Sequence, residues 1–580
     1  MLIATGAALV LISWAVILVG CVAVGLPLAT IGHSTPLCWA DVRRSLWWGL
    51  LVLASASVAI NLVFPLASGA AAAIVLAIAL MGTIASLVLL KRRRWIPTLT
   101  WSLSSAVVTC ACAAAAVYLA IAALGPVTNY DSGLYHLGAI KYSADFATVP
   151  GLANLYFPFG YSTGEFSLGA LLGNGPWAGE GFRLLNGLVI AAVLVDLVSR
   201  MVQRRRGAGA MVLLAGSACL LVTMVALSDY WVTSPSQDSS VFAITVAASA
   251  AVAEAVSSRR AWVAEGSTAL AASVLLLLIR PTSIAYALAV AAVMAALVVR
   301  RGRSSPRWWS AGILIGGTAL SAALVSGLRD YRLSGWFMYP LSLLRFDVPW
   351  VAADPVENRT ATLGFHRDPN DLWNAAHNWQ WVGPWISRLP QQWETYLLVA
   401  LIIAGVMLVV AAIALAHPFL TRGALLAVIP SVAMVAFWWL FTPPSFRFAW
   451  GPVFTCLTVP MGWALWRLST AASRPSWRLV SRWVATLSFA VPVLVVVALS
   501  ATLRLQWGEI SQERMWAGGI PYRVAPLVSA PTDAVTLSSG LVVQAPRMGE
   551  QCWAKYPLCT PTPAGGLALR GTGIADGFLP

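Results

Sequence analysis

Tyr396-Leu397-Leu398-Val399-Ala400-Leu401-Ile402-Ile403-Ala404-Gly405-Val406-Met407-Leu408-Val409-Val410-Ala411-Ala412-Ile413-Ala414-Leu415-Ala416 is a run of 21 residues without a charge. At a rise of about 1.5 Å per residue, a helix of this length crosses the roughly 30 Å hydrocarbon core of a bilayer. The whole chain has the same character. Of its 580 residues, 59% are hydrophobic and 10% are charged, against about 25% charged in a typical soluble domain. A soluble globular fold is excluded on that ground. Outward from 396–416, comparable segments occur at 3–25, 47–67, 69–90, 101–124, 183–199, 209–227, 240–257, 263–279, 283–299, 310–327, 423–441, 449–466 and 483–502. The first carries no basic residue between Met1 and Val10, so it reads as a span and not as a signal peptide. The fold class expected is an all-α polytopic membrane protein of about fourteen transmembrane helices.

The net charge of +15 gains meaning once the charges are located. Lys91 to Arg94, Arg204 to Arg206, Arg259-Arg260, Arg300 to Arg307 and Arg467 to Arg482 fall on one side of the span count, with Arg43, Arg44, Arg200 and Arg422. The positive-inside rule makes that side the cytoplasm. It holds 21 of the 37 Lys and Arg and four acids, Asp41, Asp196, Glu254 and Glu265, a net of +17; the other side comes to −2. The excess charge is thus a topology signal, with attraction to anionic lipid, and not a nucleic-acid footprint. The chain is expected in the plasma membrane with both termini extracytoplasmic. It divides into N-terminal helices (1–100), a transmembrane core (101–502) with outer loops 125–182, 228–239 and 328–395, and an extracytoplasmic tail (503–580). The cytoplasmic loops hold no P-loop and no G-x-G-x-x-G, so chemistry is expected on the outer face.

The first outer loop reads Asn129-Tyr130-Asp131-Ser132-Gly133-Leu134-Tyr135-His136-Leu137. Asp131 stands just past a span, either as a general base toward an acceptor hydroxyl or as the cap of the helix that follows. His136 is either a hydrogen-bonding loop residue or, with Tyr135, a substrate contact. As metal ligands, Asp131 and His136 are two, too few to define a site. Residues 133–146 read as an amphipathic helix on the membrane surface, anchored by Leu134, Leu137, Ile140 and Tyr142 or Phe146. A second amphipathic piece is expected near Glu165 to Leu172. In the second loop, Ser234-Pro235-Ser236-Gln237-Asp238-Ser239-Ser240, Asp238 reads as a helix cap or as part of a polar cavity. Arg280 and Arg447 lie in short outer loops, where basic residues are rare. A guanidinium there suits a phosphate bidentately; the other readings are a snorkelling side chain or a structural pair with Asp131, Asp229 or Asp238.

The loop 328–395 is rich in Trp, which suits interfacial belts and, on exposed faces, sugar rings. The tail changes composition, with β-like runs from Val535 to Val543. Of eight cysteines, none forms a C-x-x-C frame, so zinc is not expected. Cys552 and Cys559 flank a short loop in an oxidising compartment, and a local disulfide is expected against the alternative of two free thiols.

An acidic residue in an outer loop at the end of a spanning helix, followed by a surface helix, resembles the GT-C superfamily of membrane glycosyltransferases. More narrowly, the chain resembles a group of large bacterial membrane proteins of that type with unassigned substrates. The resemblance rests on Tyr130 to His136, Asn154-Leu155, Ser234 to Asp238, Leu333 to Pro340, Arg447-Phe448 and Cys552 to Cys559, over about residues 100–580. It implies a GT-C-like core that transfers a sugar from a polyprenyl-phosphate donor to a glycan or other acceptor outside the cytoplasm, with inversion, in cell-envelope polysaccharide assembly. Asp131 would inherit the role of base; Arg447 or Arg280 would hold the lipid phosphate; His136, Tyr135 and Asp238 would bind the substrate. Two departures stand out. The family acid usually follows the first span, whereas here it follows the fourth. Many members pair two adjacent acids around a metal, whereas Asp131 is followed by Ser132; no cofactor is assigned, and a divalent metal stays open. The competing reading is a transporter or flippase of lipid-linked glycans, which would place charges in helix centres or repeat one half in the other.

Overall fold

The computed structural model describes residues 2–31, 36–96, 99–203, 206–301, 307–416, 422–503, 509–515 and 519–580. Arg204, Arg205 and Arg303, which entered the charge count, lie outside the described residues, as do tail positions 504–508 and 516–518. Helices α1 (Leu2–Ala29), α2 (Trp39–Asn61), α3 (Gly69–Arg92) and α4 (Leu103–Ala122) come first. Three short helices follow: α5 (Leu137–Asp145), α6 (Leu152–Leu155) and α7 (Gly164–Leu171). The bundle resumes with α8 (Phe182–Met201), α9 (Ala208–Ala226), α10 (Gln237–Ser257), α11 (Trp262–Ile279), α12 (Ile284–Arg301) and α13 (Arg307–Ser334). A second set of short helices, α14 (Val356–Arg367), α15 (Leu372–His377) and α16 (Val382–Arg388), precedes α17 (Trp393–Leu415), α18 (Arg422–Phe441), α19 (Trp450–Ala471) and α20 (Pro475–Leu503).

Among the described residues, thirteen helices are long and apolar enough to cross a membrane. The protein is therefore an all-α, multi-pass membrane protein. The opening run lies in α17, where only Glu394 and Ala412 are buried. Helix α10 is equally free of interior charges up to Glu254, yet almost all of it is buried. An all-round apolar helix must face lipid or protein, and these two take the opposite choices. The alanine-rich surface of α10 lets neighbours approach it closely.

Helix α2 falls outside the thirteen, yet it runs the length of the bundle beside them. At one end Arg43 and Arg44 join Asp196 and Arg200 of α8 and Glu265 of α11. At the other, Asn61 Nδ2 donates to the carbonyls of Ser143 and Phe146, both at 3.0 Å. It thus runs between the same two ends as α8 and α11. The expected span 47–67 is displaced toward the N-terminus because the helix takes in Asp41, Arg43 and Arg44, all buried. Its crossing with α1 is tight: a Cβ on Gly49 would lie 2.0 Å from the Cys21 carbonyl oxygen.

Among the described residues the tail forms three antiparallel two-stranded ladders: β1 (Gln512–Met515) with β2 (Pro521–Val524), β3 (Thr532–Thr536) with β4 (Val542–Pro546), and β5 (Ala568–Leu569) with β6 (Phe578–Leu579). In the second, Val535 faces Val543, so the β-like run is a hairpin. The tail caps the end of the bundle that carries α5–α7. Ala525 donates its N–H to Leu124 O at 2.7 Å, and Phe578 to Pro150 O at 2.9 Å. Buried Arg183 clamps this junction, with Glu180 at 2.7 Å and the carbonyls of Gly125 at 2.5 Å and Ala525 at 2.7 Å. The loop 328–352 meets the same end, through Asn154 Nδ2 to Trp350 O at 3.0 Å.

Two expectations about surface helices are corrected. Leu137, Ile140 and Tyr142 are buried in a protein core with Phe159, Phe166, Val543 and Phe578 and do not anchor α5 in lipid. The tail and α7 cover that apolar face. All eight residues of α7 are buried, so it is a core helix and not an amphipathic one.

Candidate functional site

The chain between α4 and α5 does not start a regular helix. Residues Ser132–His136 form one π-turn, in which Leu137 N–H reaches back to Ser132 O. Such single wide turns often occur at functional sites. The turn is held from two sides. Thr128 and Asn129 donate their N–H groups to Ser234 Oγ, both at 3.1 Å. Trp553 donates to Gly133 O at 2.9 Å. A Cβ on Gly133 would come within 2.5 Å of the Trp553 ring, so the indole fits only against glycine. Trp553 sits in the loop closed by the Cys552–Cys559 disulfide. That loop also takes a hydrogen bond from Lys141 Nζ to Ala554 O at 3.3 Å.

Asp131 leads into this turn and does not cap it. Its Oδ2 accepts from Arg447 Nη1 at 2.8 Å. Arg280 forms a second pair, with Asp238. Asp238 is not the cap of α10 either; Ser236 is, accepting the Asp238 N–H on its side chain. Both arginines are therefore paired with acids, as the structural reading of them allowed. Both also rest on one ring: Arg447 lies 4.7 Å and Arg280 5.5 Å from the Phe448 centroid. The pairs differ in access. The Arg447 and Asp131 side chains are 23% and 21% exposed, those of Arg280 and Asp238 only 12% and 5%. His136 is buried in the field of Asp131, Asp238, Arg447 and Arg280. Its Nδ1 lies 3.1 Å from Ser132 Oγ. Burial, opposed by the two aspartates, lowers its pKa below the ordinary imidazole range, so the ring is neutral at pH 7. Tyr135 stands beside it in edge contact with Tyr161 and Phe166. Tyr161, Phe157 and Tyr339 continue the aromatic wall. Asp131, Tyr135, His136, Asp238, Arg280 and Arg447 are thus gathered at one end of the bundle.

Sequence reasoning passed over Glu165 as a site residue. It is buried, and its Oε1 accepts from Ser240 Oγ at 3.1 Å. Ser240 Oγ also lies 2.8 Å from Asn186 Oδ1. Among the described residues Glu165 Oε2 has no hydrogen-bond partner. Burial raises its pKa well above the carboxylate range, with Asp238 adding to the rise and Ser240 and Arg280 opposing it. Nothing in the one-dimensional pattern marks a lone Glu in an apolar helix as a member of this cluster. His366, in the second set of short helices, lies 5.3 Å from the Phe448 ring.

The acids offer little room for a resident divalent cation. Asp131 and Asp238 each commit an oxygen to an arginine, and among the described residues no three His, Cys, Asp or Glu side chains converge as ligands.

The protein is thus a multi-pass membrane protein with two acid–arginine pairs, a neutral histidine and an aromatic wall beneath a disulfide-closed tail. Residues 8–454 match the family described as "Domain of unknown function (DUF8201)", and the chain belongs to that family. The match covers the six converging residues and stops short of α20 and the tail. No curated protein and no solved structure matches the chain.

Proposed function

We propose that the protein is a glycosyltransferase of GT-C type that takes a sugar from polyprenyl phosphate and gives it to a glycan or other acceptor on the extracytoplasmic face of the plasma membrane. The convergence of two guanidiniums on Phe448 beside Asp131 carries this reading. Guanidinium forks stabilise phosphate oxygens as negative charge develops. They sit where spanning helices end, Arg280 just after α11 and Arg447 just before α19. Asp131 removes the proton of the acceptor hydroxyl. The acceptor oxygen then bonds to the anomeric carbon as its bond to the phosphate oxygen breaks, and the electron pair leaves on polyprenyl phosphate. One displacement inverts the anomeric centre. The half-buried Tyr135 and Tyr161 offer faces for the sugar ring, and neutral His136 offers it a hydrogen bond. Both chain termini are then extracytoplasmic.

The reading of a lipid-linked glycan transporter has one observation on its side, the buried charges of α2, α8 and α11. Those charges balance one another and lie at the end of the bundle away from the Asp131 cluster, which favours a structural tie. Native mass spectrometry of the purified protein tests the proposal: polyprenyl phosphate should co-purify with wild type and be depleted in Arg447→Ala. Absence of any lipid phosphate from wild type, followed by failure to take up added polyprenyl phosphate, refutes it.

A further inference from the structure

We infer that Asp131 itself occupies the anion subsite of the resting protein, so that an arriving lipid phosphate displaces it from Arg447 and only then frees it to act as base. This rests on the prenyl-phosphate reading of the site and adds how the site is switched on.

Three observations carry it. Asp131 does not cap the helix it precedes; its Oδ2 accepts a hydrogen bond from Arg447, at 2.8 Å. An oxygen lone pair given to a guanidinium is not free to accept a proton from an acceptor hydroxyl. Of the two acid–arginine pairs, this is the accessible one, while the Arg280–Asp238 pair is nearly enclosed. An anion entering the site therefore meets Arg447 first. Finally, Arg447 also lies over the Phe448 ring, so its guanidinium keeps its place when the carboxylate lets go.

The consequence is an ordered reaction. Donor phosphate takes the fork of Arg447, and Asp131 turns to the acceptor. The proton of the acceptor passes to Asp131, the new glycosidic bond forms, and the sugar–phosphate bond breaks toward the phosphate. When Asp131 loses that proton to water, its carboxylate competes again for Arg447 and helps to expel the lipid phosphate product.

The test is equilibrium binding of farnesyl phosphate to the purified full chain in detergent micelles, with farnesol and inorganic phosphate as separate probes. Wild type is expected to bind farnesyl phosphate more tightly than either. Asp131→Asn removes the competitor and should bind it up to about 5-fold more tightly, the size of one partly exposed ion pair. Arg447→Gln should bind weakly, and the double variant no better than Arg447→Gln alone. Asp131→Ala should show the same gain as Asp131→Asn, and thermal unfolding without ligand establishes that each variant is folded. An equal or weaker affinity in both folded Asp131 variants overturns the displacement while leaving the phosphate reading intact. A gain that survives in the double variant means repulsion through space and also overturns it. Farnesyl phosphate bound no better than farnesol refutes the underlying reading as well. Inorganic phosphate bound as tightly as farnesyl phosphate refutes the lipid source.

Discussion

Glu265→Gln should destabilise the protein more than any change at an exposed ion pair. Glu265 lies in the first turn of α11 and receives Arg43 from α2, Arg44 Nε at 2.8 Å, and Arg200 Nη2 from α8 at 3.3 Å. Arg200 also holds Asp196 at 2.8 Å, and Arg44 holds Asp41 at 2.7 Å. Three arginines thus face three acids, and the buried group is neutral. Asp41 and Glu265 sit at helix N-termini and Arg200 in a last turn, the placements that the helix dipole favours. The glutamine side chain keeps the shape and removes one negative charge, leaving the buried group with three arginines against two acids, one positive charge in excess. Breaking a buried pair from one side costs on the order of 3–5 kcal/mol. In a chain this long each kcal/mol lowers Tm by about 1 °C, so the expected drop is about 3–5 °C. Tryptophan fluorescence during heating of the detergent-purified protein reads it. Asp533→Asn, which breaks the exposed Arg547–Asp533 pair, serves as the control and should leave Tm unmoved. Arg43→Met combined with Glu265→Met removes both signs together and should lose less than the sum of the single changes. A Glu265→Gln protein as stable as wild type, or a strictly additive double variant, refutes the account of a charge-balanced tie across α2, α8 and α11.

Three further outcomes are expected. Glu165, whose pKa burial raises in the folded state, carries its stability below the ordinary carboxylate pKa and loses it as pH rises toward the folded value. Glu165→Gln should therefore match wild type near pH 4 and melt higher than wild type at alkaline pH; a difference independent of pH contradicts this. Cys552 and Cys559 should resist alkylation until a reductant is added, and Cys552→Ser with Cys559→Ser should loosen the tail by about 2–3 kcal/mol; alkylation of both thiols without reductant is the opposing result. In intact cells, single cysteines placed at Glu357 and Asp533, both exposed at the Asp131 end, should react with an impermeant maleimide, whereas one placed at Arg259 should not. The reverse pattern inverts the topology.

Most of the bundle was legible because a bilayer imposes length and apolarity on each crossing, and both are one-dimensional properties. Helix α2 lies about two turns earlier than hydropathy places it for the same reason: Asp41, Arg43 and Arg44 dilute its apolarity, and the partners of the arginines include acids far away on α8 and α11. Those residues were counted as loop charges, since sequence does not reveal that they pair. The apolar stripe of α5 was visible, but periodicity does not say whether lipid or protein covers it; here α7 and the tail do. At the site, Asp131, Asp238, Arg280 and Arg447 could be singled out because charges at membrane level demand a reason. Which acid meets which arginine was open, and Glu165 was passed over because an isolated Glu in a short helix has no pattern to betray it.

The central claim is sugar transfer from a lipid phosphate with Asp131 as base, and release of polyprenyl phosphate tests it most directly. Purified protein in native membrane lipid is incubated with a panel of polyprenyl-phosphate-linked sugars and an extract of cell-envelope glycans, and free polyprenyl phosphate is followed by mass spectrometry. Wild type should release it from one of the donors only when acceptor is present. Asp131→Asn, folded and still able to bind lipid phosphate, should be slower by about 10²–10⁴-fold, the usual size of a general-base contribution. Acceptor-dependent release by Asp131→Asn within a few-fold of wild type, or no release by wild type from any donor, contradicts the account.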